Sequence, residues 1–296
     1  LEKLVIVNGK GTNSRDAIAE QEFLASGEDN LAVVSTSPDE MAFWLYSSGT
    51  TGRPKGIVHL QHDMAYTVAS YADNILKLTP DDICYSVPKI FFAYGLGNSL
   101  TFPFSAGACC VLVSGQPRPE TVLDAIETYR PTVFFGLPTL YTALARAASA
   151  VDTDFSSLRL SISAAETLSE AVFDEWRKLS GQEVIEGLGS TELLHIYLSN
   201  APEKKKLGAA GRRVPGYELE LRDANGNVLD DNEEGVLWVR GHSSAPLYWN
   251  RPDKSAETMQ EDWVNTGDRF SRDKEGYYLS LIHISEPARL GMISYA

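Results

Sequence analysis

The residues best suited to chemistry lie at positions 46–56, which read YSSGTTGRPKG. Glycine lets backbone N–H groups approach an anion closely, serine and threonine add donors, and Lys55 supplies a positive charge. The apolar residues 41–45 lead into this stretch as a predicted buried strand, and a helical pattern covers about residues 59–77. The sequence therefore predicts a phosphate-binding loop between a strand and a helix.

A solvated serine- and glycine-rich linker is the alternative interpretation of the same stretch. The preceding strand, the Pro-Lys-Gly ending and the lack of repetition argue against a linker. The stretch also differs from the common nucleotide loop, G-x-x-x-x-G-K-[ST]. Gly49 and Gly52 are only three positions apart, and Lys55 follows a proline.

Further segments with suitable groups follow predicted strands or form turns. Residues 163–166 read SAAE, residues 187–192 read GLGSTE, and residues 266–268 read TGD. Each also has an ordinary structural interpretation, namely an acidic first helical turn, a strand-exit loop with a cap, and a simple turn. The aromatic residues 91–95 and His195 could likewise be packed core rather than a ligand pocket.

Together these motifs resemble the adenylate-forming superfamily of acyl-CoA synthetases, peptide-synthetase adenylation domains and luciferases. The phosphate loop is the most specific match, and the other motifs follow in the family's order between about residues 30 and 279. Residues 89–98 (KIFFAYGLGN) and 189–196 (GSTELLHI) look most similar to benzoate–CoA ligases. The resemblance implies an α/β fold, the large N-terminal domain of such an enzyme in partial form, with an α/β sheet subdomain and a small β-rich subdomain.

The resemblance implies a role for each matching residue. Thr191 would donate to the nucleotide α-phosphate and Glu192 would bind Mg²⁺, which makes these two the expected catalytic residues. Asp268 would accept both ribose hydroxyls, since a carboxylate can take two donors. The other expected ATP- or AMP-binding residues are Ser47, Ser48, Gly49, Thr50, Thr51, Gly52, Lys55, Ala165, Glu166, Glu186 and Gly187. Ala165 departs from the glycine usual at its position, beside the adenine.

The same resemblance assigns the acid-binding pocket. Ala93, Tyr94, Gly189, His195 and Ile196 would face the aryl ring of the substrate. Flat rings separated by small residues leave a slot for a planar ligand.

The implied activity is the ATP-dependent conversion of a benzoate-like acid to an acyl-adenylate and then to an aryl-CoA thioester. ATP, Mg²⁺, CoA and a small aryl carboxylate are the expected cofactors and partners, and a homodimer is left open as the assembly. Two alternatives remain: a ligase for another acid, such as a hydroxybenzoate or a short aliphatic acid, and a catalytically silent nucleotide-binding fragment.

Strands and helices alternate along the chain to about residue 200. The predicted strands after the phosphate loop are 83–88, 109–113, 131–135, 158–163 and 183–185, and the predicted helices are 119–129, 138–148 and 169–179. This alternation predicts a largely parallel sheet within an α/β subdomain at 1–200. Between 201 and 279, alternating apolar residues and a turn at 224–227 predict the β-rich subdomain.

The two ends of the chain bear on its completeness. The first residues read as an internal strand, and residues 280–296 match nothing in the resembled family, so we expect a fragment with a non-family tail. The hinge and C-terminal domain of the resembled enzymes do not follow residue 279. We therefore expect no steady thioester formation from this chain alone.

Composition excludes several classes of protein. The chain of 296 residues is 43% hydrophobic and 22% charged, which is typical of a globular protein. A net charge of −14 argues against nucleic acid as a partner, and no apolar run is long enough for a membrane span. Cys84, Cys109 and Cys110 have neither metal-binding nor disulfide-framework spacing, which favours reduced thiols in a cytoplasmic protein.

Overall fold

The computed structural model describes residues 4–6, 17–28, 30–47, 54–148, 153–164 and 168–281. The chain divides into two units, Leu1–Ser37 and Pro38–Ala296. In the first unit, strand β1 (Leu4–Ile6) pairs in parallel with β2 (Ala17–Ala19), and the short helix α1 (Glu20–Ala25) follows.

The second unit begins with an antiparallel pair of strands. β3 (Met41–Ser47) pairs with β4 (Lys55–Leu60), and Ser47 lies opposite Lys55. The phosphate stretch therefore joins two strands, and the prediction that it lies between a strand and a helix was wrong. The fully buried residues 57–59, two of them β-branched, favour an extended strand that pairs with β3. Ser48, Gly49, Thr50, Thr51 and Gly52 lie outside the described residues.

The helix after β4 starts later than predicted and has two parts. Helix α2 (Gln61–Thr67) continues as a π-helix over Val68–Leu76. Asp63 caps its first turn, because the Asp63 carboxylate accepts a hydrogen bond of 3.1 Å from the N–H of Leu60.

A seven-stranded sheet organises the second unit, in the order β11-β10-β9-β8-β7-β5-β6. Its strands are β5 (Ile83–Ser86), β6 (Cys109–Val111), β7 (Val133–Gly136), β8 (Leu160–Ala164), β9 (Val184–Gly189), β10 (Ile196–Ser199) and β11 (Arg212–Arg213). The neighbouring pairs from β6 to β9 are parallel, and β10 and β11 add antiparallel. The predicted, largely parallel α/β sheet is confirmed.

Helices connect these strands. They are α3 (Ala93–Leu96), a π-helix (Gly97–Thr101), α4 (Phe102–Ala106), α5 (Pro119–Tyr129), α6 (Pro138–Ala148) and α7 (Glu170–Ser180). Successive strand residues point to opposite faces, so Phe134 and Phe135 of β7 enter two different apolar clusters. Tyr141 of α6 and Trp176 of α7 pack against Phe134.

Strand β9 runs further than the sequence predicts. We expected a strand over 183–185 and a loop over 187–192, yet residues 187–189 pair with β10. Glycine makes this pairing possible, because a Cβ at Gly187 would lie 2.7 Å from Cδ1 of Ile196 and one at Gly189 would lie 2.4 Å from the His195 carbonyl oxygen.

A second sheet has the order β12-β13-β15-β14, with β16 paired to β15. Its elements are β12 (Glu218–Arg222), β13 (Glu234–Arg240), helix α8 (Pro252–Thr258), β14 (Met259–Gln260), β15 (Trp263–Arg272) and β16 (Tyr278–Ser280). The predicted hairpin is confirmed, since β12 pairs antiparallel with β13. Strand β11 joins the large sheet although it lies beyond residue 200. Residues 282–296 of the expected tail lie outside the described residues. Among the described residues, no helix is long and apolar enough to cross a membrane.

Candidate functional site

Thr191 and Glu192 lie on a short 3₁₀ turn, Thr191–Leu193, between β9 and β10. Both side chains are half-buried. The three carbonyl groups of the turn contact donors from other segments: His59 Nε2 at 2.9 Å, Ala245 N at 2.8 Å and Ser243 Oγ at 2.8 Å. These contacts fix the backbone of the turn, and with it the Cα positions of Thr191 and Glu192.

A tyrosine connects Glu192 to the lysine of the phosphate stretch. The Tyr248 hydroxyl donates to Glu192 Oε1 at 2.8 Å and accepts from Lys55 Nζ at 3.1 Å. The Lys55 ammonium also lies 4.3 Å from the centre of the Tyr248 ring. Burial and the Glu192 charge raise the pKa of Tyr248, so its phenol stays neutral and can bridge the two charged groups.

The backbone around Tyr248 explains its position. Val58 N donates to the Leu247 carbonyl at 3.2 Å and Trp249 N donates to the Gly56 carbonyl at 2.7 Å, so this segment lies along β4. The same strand carries Lys55 at its first position.

Asp268 is half-buried on β15. Burial and the negative charge of Glu192 raise the pKa of Asp268. Two carboxylates whose charges affect each other in a partly desolvated place attract a cation or hydroxyl donors. Mg²⁺ fits this arrangement, because it takes only one or two protein carboxylates together with phosphates and water. No group of three or more His, Cys, Asp or Glu residues suited to a metal occurs in the described part of the chain.

Glu186 and Gly187 form the last two pairs of the parallel β8–β9 ladder, at the carboxyl end of β8, and ligands bind at this end of parallel sheets. Glu186 is 8% exposed, and its Oε1 accepts from the N–H of Leu168 at 2.7 Å. Burial raises the pKa of Glu186 to about 7. On the neighbouring strand, Ser163 lies opposite Glu186, and its buried hydroxyl has no hydrogen-bond partner within the described residues. Ala165 and Glu166, two further expected nucleotide contacts, lie outside the described residues.

His195 and Tyr94 belong to one group of packed aromatic rings. Their ring centres are 5.6 Å apart, and the His195 ring also lies 4.5 Å from Phe102. Burial lowers the pKa of His195 to about 3, so the imidazole is neutral. His195 Nε2 lies 3.2 Å from Asn98 Oδ1, an acceptor, which assigns the proton to Nε2. Burial also raises the pKa of Tyr94, which keeps this phenol neutral.

Of the remaining expected acid-binding residues, Gly189 lies beside His195, whereas Ala93 and Ile196 pack against other residues. Gly189 lies directly against the backbone of His195. Ala93 packs in a small separate cluster with Leu45 and Leu194. The Ile196 side chain lies against Gly187, one of the expected nucleotide contacts. The structure thus brings Tyr94, His195 and Gly189 together.

Comparison with known proteins identifies the family. Residues 2–249 match the family model described as AMP-binding enzyme. The chain belongs to this family. The resemblance stated from the motifs is therefore confirmed, and so is the expected α/β fold of an adenylate-forming N-terminal domain.

Several relatives of this chain are named as ligases of aromatic acids. The chain is 40% identical over 280 residues to benzoate–CoA ligase of Thauera aromatica, covering 94% of this chain and 52% of the relative. It is 40% identical over 256 residues to a 4-hydroxybenzoate–CoA/benzoate–CoA ligase of Rhodopseudomonas palustris, covering 86% and 47%. A crystal structure of an anthranilate CoA ligase in complex with anthranoyl-AMP superposes with a TM-score of 0.89 at 36% identity, covering 95% and 54%. The chain spans about half the length of these relatives.

Sequence reasoning missed several residues of this candidate site. Tyr248 sits among apolar residues and resembles an ordinary core tyrosine, while His59 and Ser243 have no motif of their own. Asn98 ends the segment that resembles benzoate–CoA ligases, but nothing in the sequence sets it apart within that segment. Each of these residues gains its place from a partner distant in the chain, which a local pattern does not reveal.

Proposed function

We propose that the protein carrying this chain is an AMP-forming aryl-acid–CoA ligase that acts on benzoate or a close analogue. The observation that carries the proposal is the hydrogen-bonded group of Lys55, Tyr248 and Glu192, together with Asp268, whose pKa is raised by burial and by the charge of Glu192. It combines a cation, a carboxylate for Mg²⁺ and a second carboxylate for ribose. The benzoate, hydroxybenzoate and anthranilate ligases among the relatives support an aromatic acid as substrate.

In the first step, a carboxylate oxygen of the acid attacks the α-phosphorus of ATP. A new O–P bond forms, the bond to the bridging oxygen of the β-phosphate breaks, and pyrophosphate leaves with the electron pair. The Thr191 hydroxyl donates to an α-phosphate oxygen, and Lys55 offsets the charge of the departing phosphates. Catalysis is then chiefly positioning and charge stabilisation.

Magnesium would be held by Glu192 together with the phosphates of ATP. When bound, the ion supplies positive charge that offsets the phosphate oxygens. Asp268 would accept the two ribose hydroxyls, and Glu186 and Gly187 would line the adenine. In the second step the sulfur of CoA attacks the acyl carbon, the bond to AMP breaks, and the thiol proton is released.

The acid pocket is proposed to be short, flat and neutral. Because His195 and Tyr94 are both uncharged, they offer ring contacts rather than an ion pair to the substrate. Such contacts favour a planar aryl ring over a long flexible chain. A hydroxybenzoate or a short aliphatic acid remains the second candidate substrate.

The test compares acids in the full-length protein that contains this chain. Formation of the CoA thioester is measured with benzoate, 4-hydroxybenzoate, anthranilate, acetate and a twelve-carbon fatty acid. We expect kcat/KM to be at least about tenfold higher for benzoate than for the fatty acid, since poorly filled or overfilled pockets cost 1–3 kcal/mol. Equal or reversed preference would reject the aryl assignment. The same assay on residues 1–296 tests the expectation that this chain alone forms no thioester.

A further inference from the structure

His59 occupies the centre of a buried chain of hydrogen bonds. His59 and Asp63 are both 0% exposed. His59 Nδ1 lies 2.8 Å from Asp63 Oδ2, and His59 Nε2 lies 2.9 Å from the Thr191 carbonyl oxygen. The chain therefore ends on the backbone of the residue that would bind the α-phosphate.

The partners of His59 decide where its protons lie. A carbonyl oxygen only accepts, so Nε2 carries a hydrogen and donates to Thr191. A single proton then lies between His59 Nδ1 and Asp63 Oδ2. Asp63 Oδ2 also accepts from the N–H of Leu60 at 3.1 Å. This hydrogen bond orients Asp63, and Asp63 in turn orients the imidazole.

His59 also belongs to the strand that carries Lys55. Both lie on β4, and the His59 ring stacks on Phe43 of the paired strand β3, with ring centres 5.3 Å apart. A buried, stacked ring has little freedom to turn. His59 thus joins the strand behind the phosphate lysine to the turn that carries Thr191 and Glu192.

We propose that His59 is a positioning residue for adenylation, and that Asp63 orients it. Its Nε2–H holds the Thr191 carbonyl, which places the Thr191 hydroxyl and the Glu192 carboxylate at a set distance from Lys55. The part about adenylation rests on the proposed function. The part about nucleotide binding requires only that the site takes ATP with Mg²⁺.

Two amide substitutions separate the two ends of His59. In His59→Gln the side-chain amide reaches the place of Nε2 and can still donate to Thr191. In His59→Asn the shorter amide reaches the place of Nδ1, keeps the contact with Asp63 and leaves the Thr191 carbonyl unpaired. Both variants are polar and smaller than histidine, so a purely structural role predicts similar losses from both.

A matched control lies on the helix after β4. The Tyr66 hydroxyl donates to the Gly216 carbonyl at 2.6 Å, and the Tyr66 ring packs against Tyr217 and His242. Tyr66→Phe removes one hydrogen bond from a side chain to a carbonyl without altering the hold on Thr191. We expect its exchange rate and its affinity for ATP to equal those of the wild type.

The experiment measures benzoate-dependent ATP–pyrophosphate exchange and the affinity for ATP with Mg²⁺ by calorimetry, in the full-length protein. We expect His59→Asn to lower the exchange kcat about 10- to 100-fold and to weaken ATP binding, as for other residues that orient direct ligands. The KM for benzoate should change little, because Asn98 and the aromatic rings hold His195. His59→Gln should keep most of the activity.

A double-mutant comparison completes the test. If His59 acts through the turn, His59→Asn should cost much less in a Thr191→Val background than in the wild type. Equal losses in both backgrounds, or equal losses for the Asn and Gln variants, would overturn the proposal. If the wild type shows no exchange with any aryl acid, the proposed function fails, and the ATP affinities of the same variants still decide the role of His59.

Discussion

Removing the Tyr248 hydroxyl is the sharpest perturbation of the nucleotide site. Tyr248→Phe keeps the ring beneath Lys55 Nζ, 4.3 Å from its centre, but removes the bonds of 2.8 Å to Glu192 and 3.1 Å to Lys55. A hydrogen bond to a charged group contributes roughly 1.5–3 kcal/mol. At 1.36 kcal/mol for each tenfold in rate, losing one such bond in the transition state corresponds to about 10- to 100-fold.

The assay is ATP–pyrophosphate exchange at a series of Mg²⁺ concentrations. We expect Tyr248→Phe to lower the exchange rate by about tenfold or more and to raise the Mg²⁺ concentration needed for half the maximal rate, because Glu192 loses its fixed orientation. Tyr141→Phe is the control, since it loses a buried bond of the same 2.8 Å length, made to the Ile162 carbonyl. A Tyr248→Phe enzyme that matches this control in rate and in Mg²⁺ requirement would refute the reasoning.

Three further predictions concern named residues. Glu192→Gln and Thr191→Val should each lower the exchange rate by about 10²–10³ while thermal unfolding changes little, because each removes one group that faces the transition state. Gly97→Ala should raise the KM for benzoate and destabilise the fold by about 1–3 kcal/mol in denaturant titrations, since its Cβ would lie 2.5 Å from His195 Cδ2. Burial raises the pKa of Glu186 from 4.5 to about 7, so the folded state binds this proton more tightly than the unfolded state. The free energy of unfolding should therefore fall as the pH rises across that window. Glu186→Gln should reduce the difference in melting temperature between pH 5 and pH 8.

Each of these outcomes has a clear opposite. Near-normal exchange in either the Glu192 or the Thr191 variant would remove that residue from the reaction. An unchanged KM for benzoate in Gly97→Ala would mean that His195 does not take part in acid binding. The same loss of stability with pH in wild type and Glu186→Gln would mean that other groups cause it.

The parts that the sequence predicted well are those with strong local patterns. Helices α5 and α6 occupy the predicted ranges, because proline starts each and the apolar spacing is helical. The hairpin of β12 and β13 follows from alternation with a turn between. The family itself was evident from motifs whose order, more than any single one, carries the information.

The parts that the sequence did not predict depend on pairing across the chain. β4 is a strand because it pairs with β3. β9 extends to Gly189 because Gly187 and Gly189 carry no Cβ atoms that would clash with β10 and His195. Tyr248 lies 193 residues from Lys55 along the chain, and His59 lies 132 residues from Thr191. Contacts of that kind leave no periodic signal, so in the sequence Tyr248 and His59 look like any buried tyrosine or histidine.

Acid-dependent pyrophosphate exchange in the full-length protein tests the central claim most directly. The account predicts that labelled pyrophosphate enters ATP only when benzoate and Mg²⁺ are both present. It further predicts that Glu192→Gln reduces this exchange by about 10²–10³. Binding of ATP without any exchange in the presence of benzoate, hydroxybenzoate or anthranilate would contradict the account and favour a silent nucleotide-binding protein.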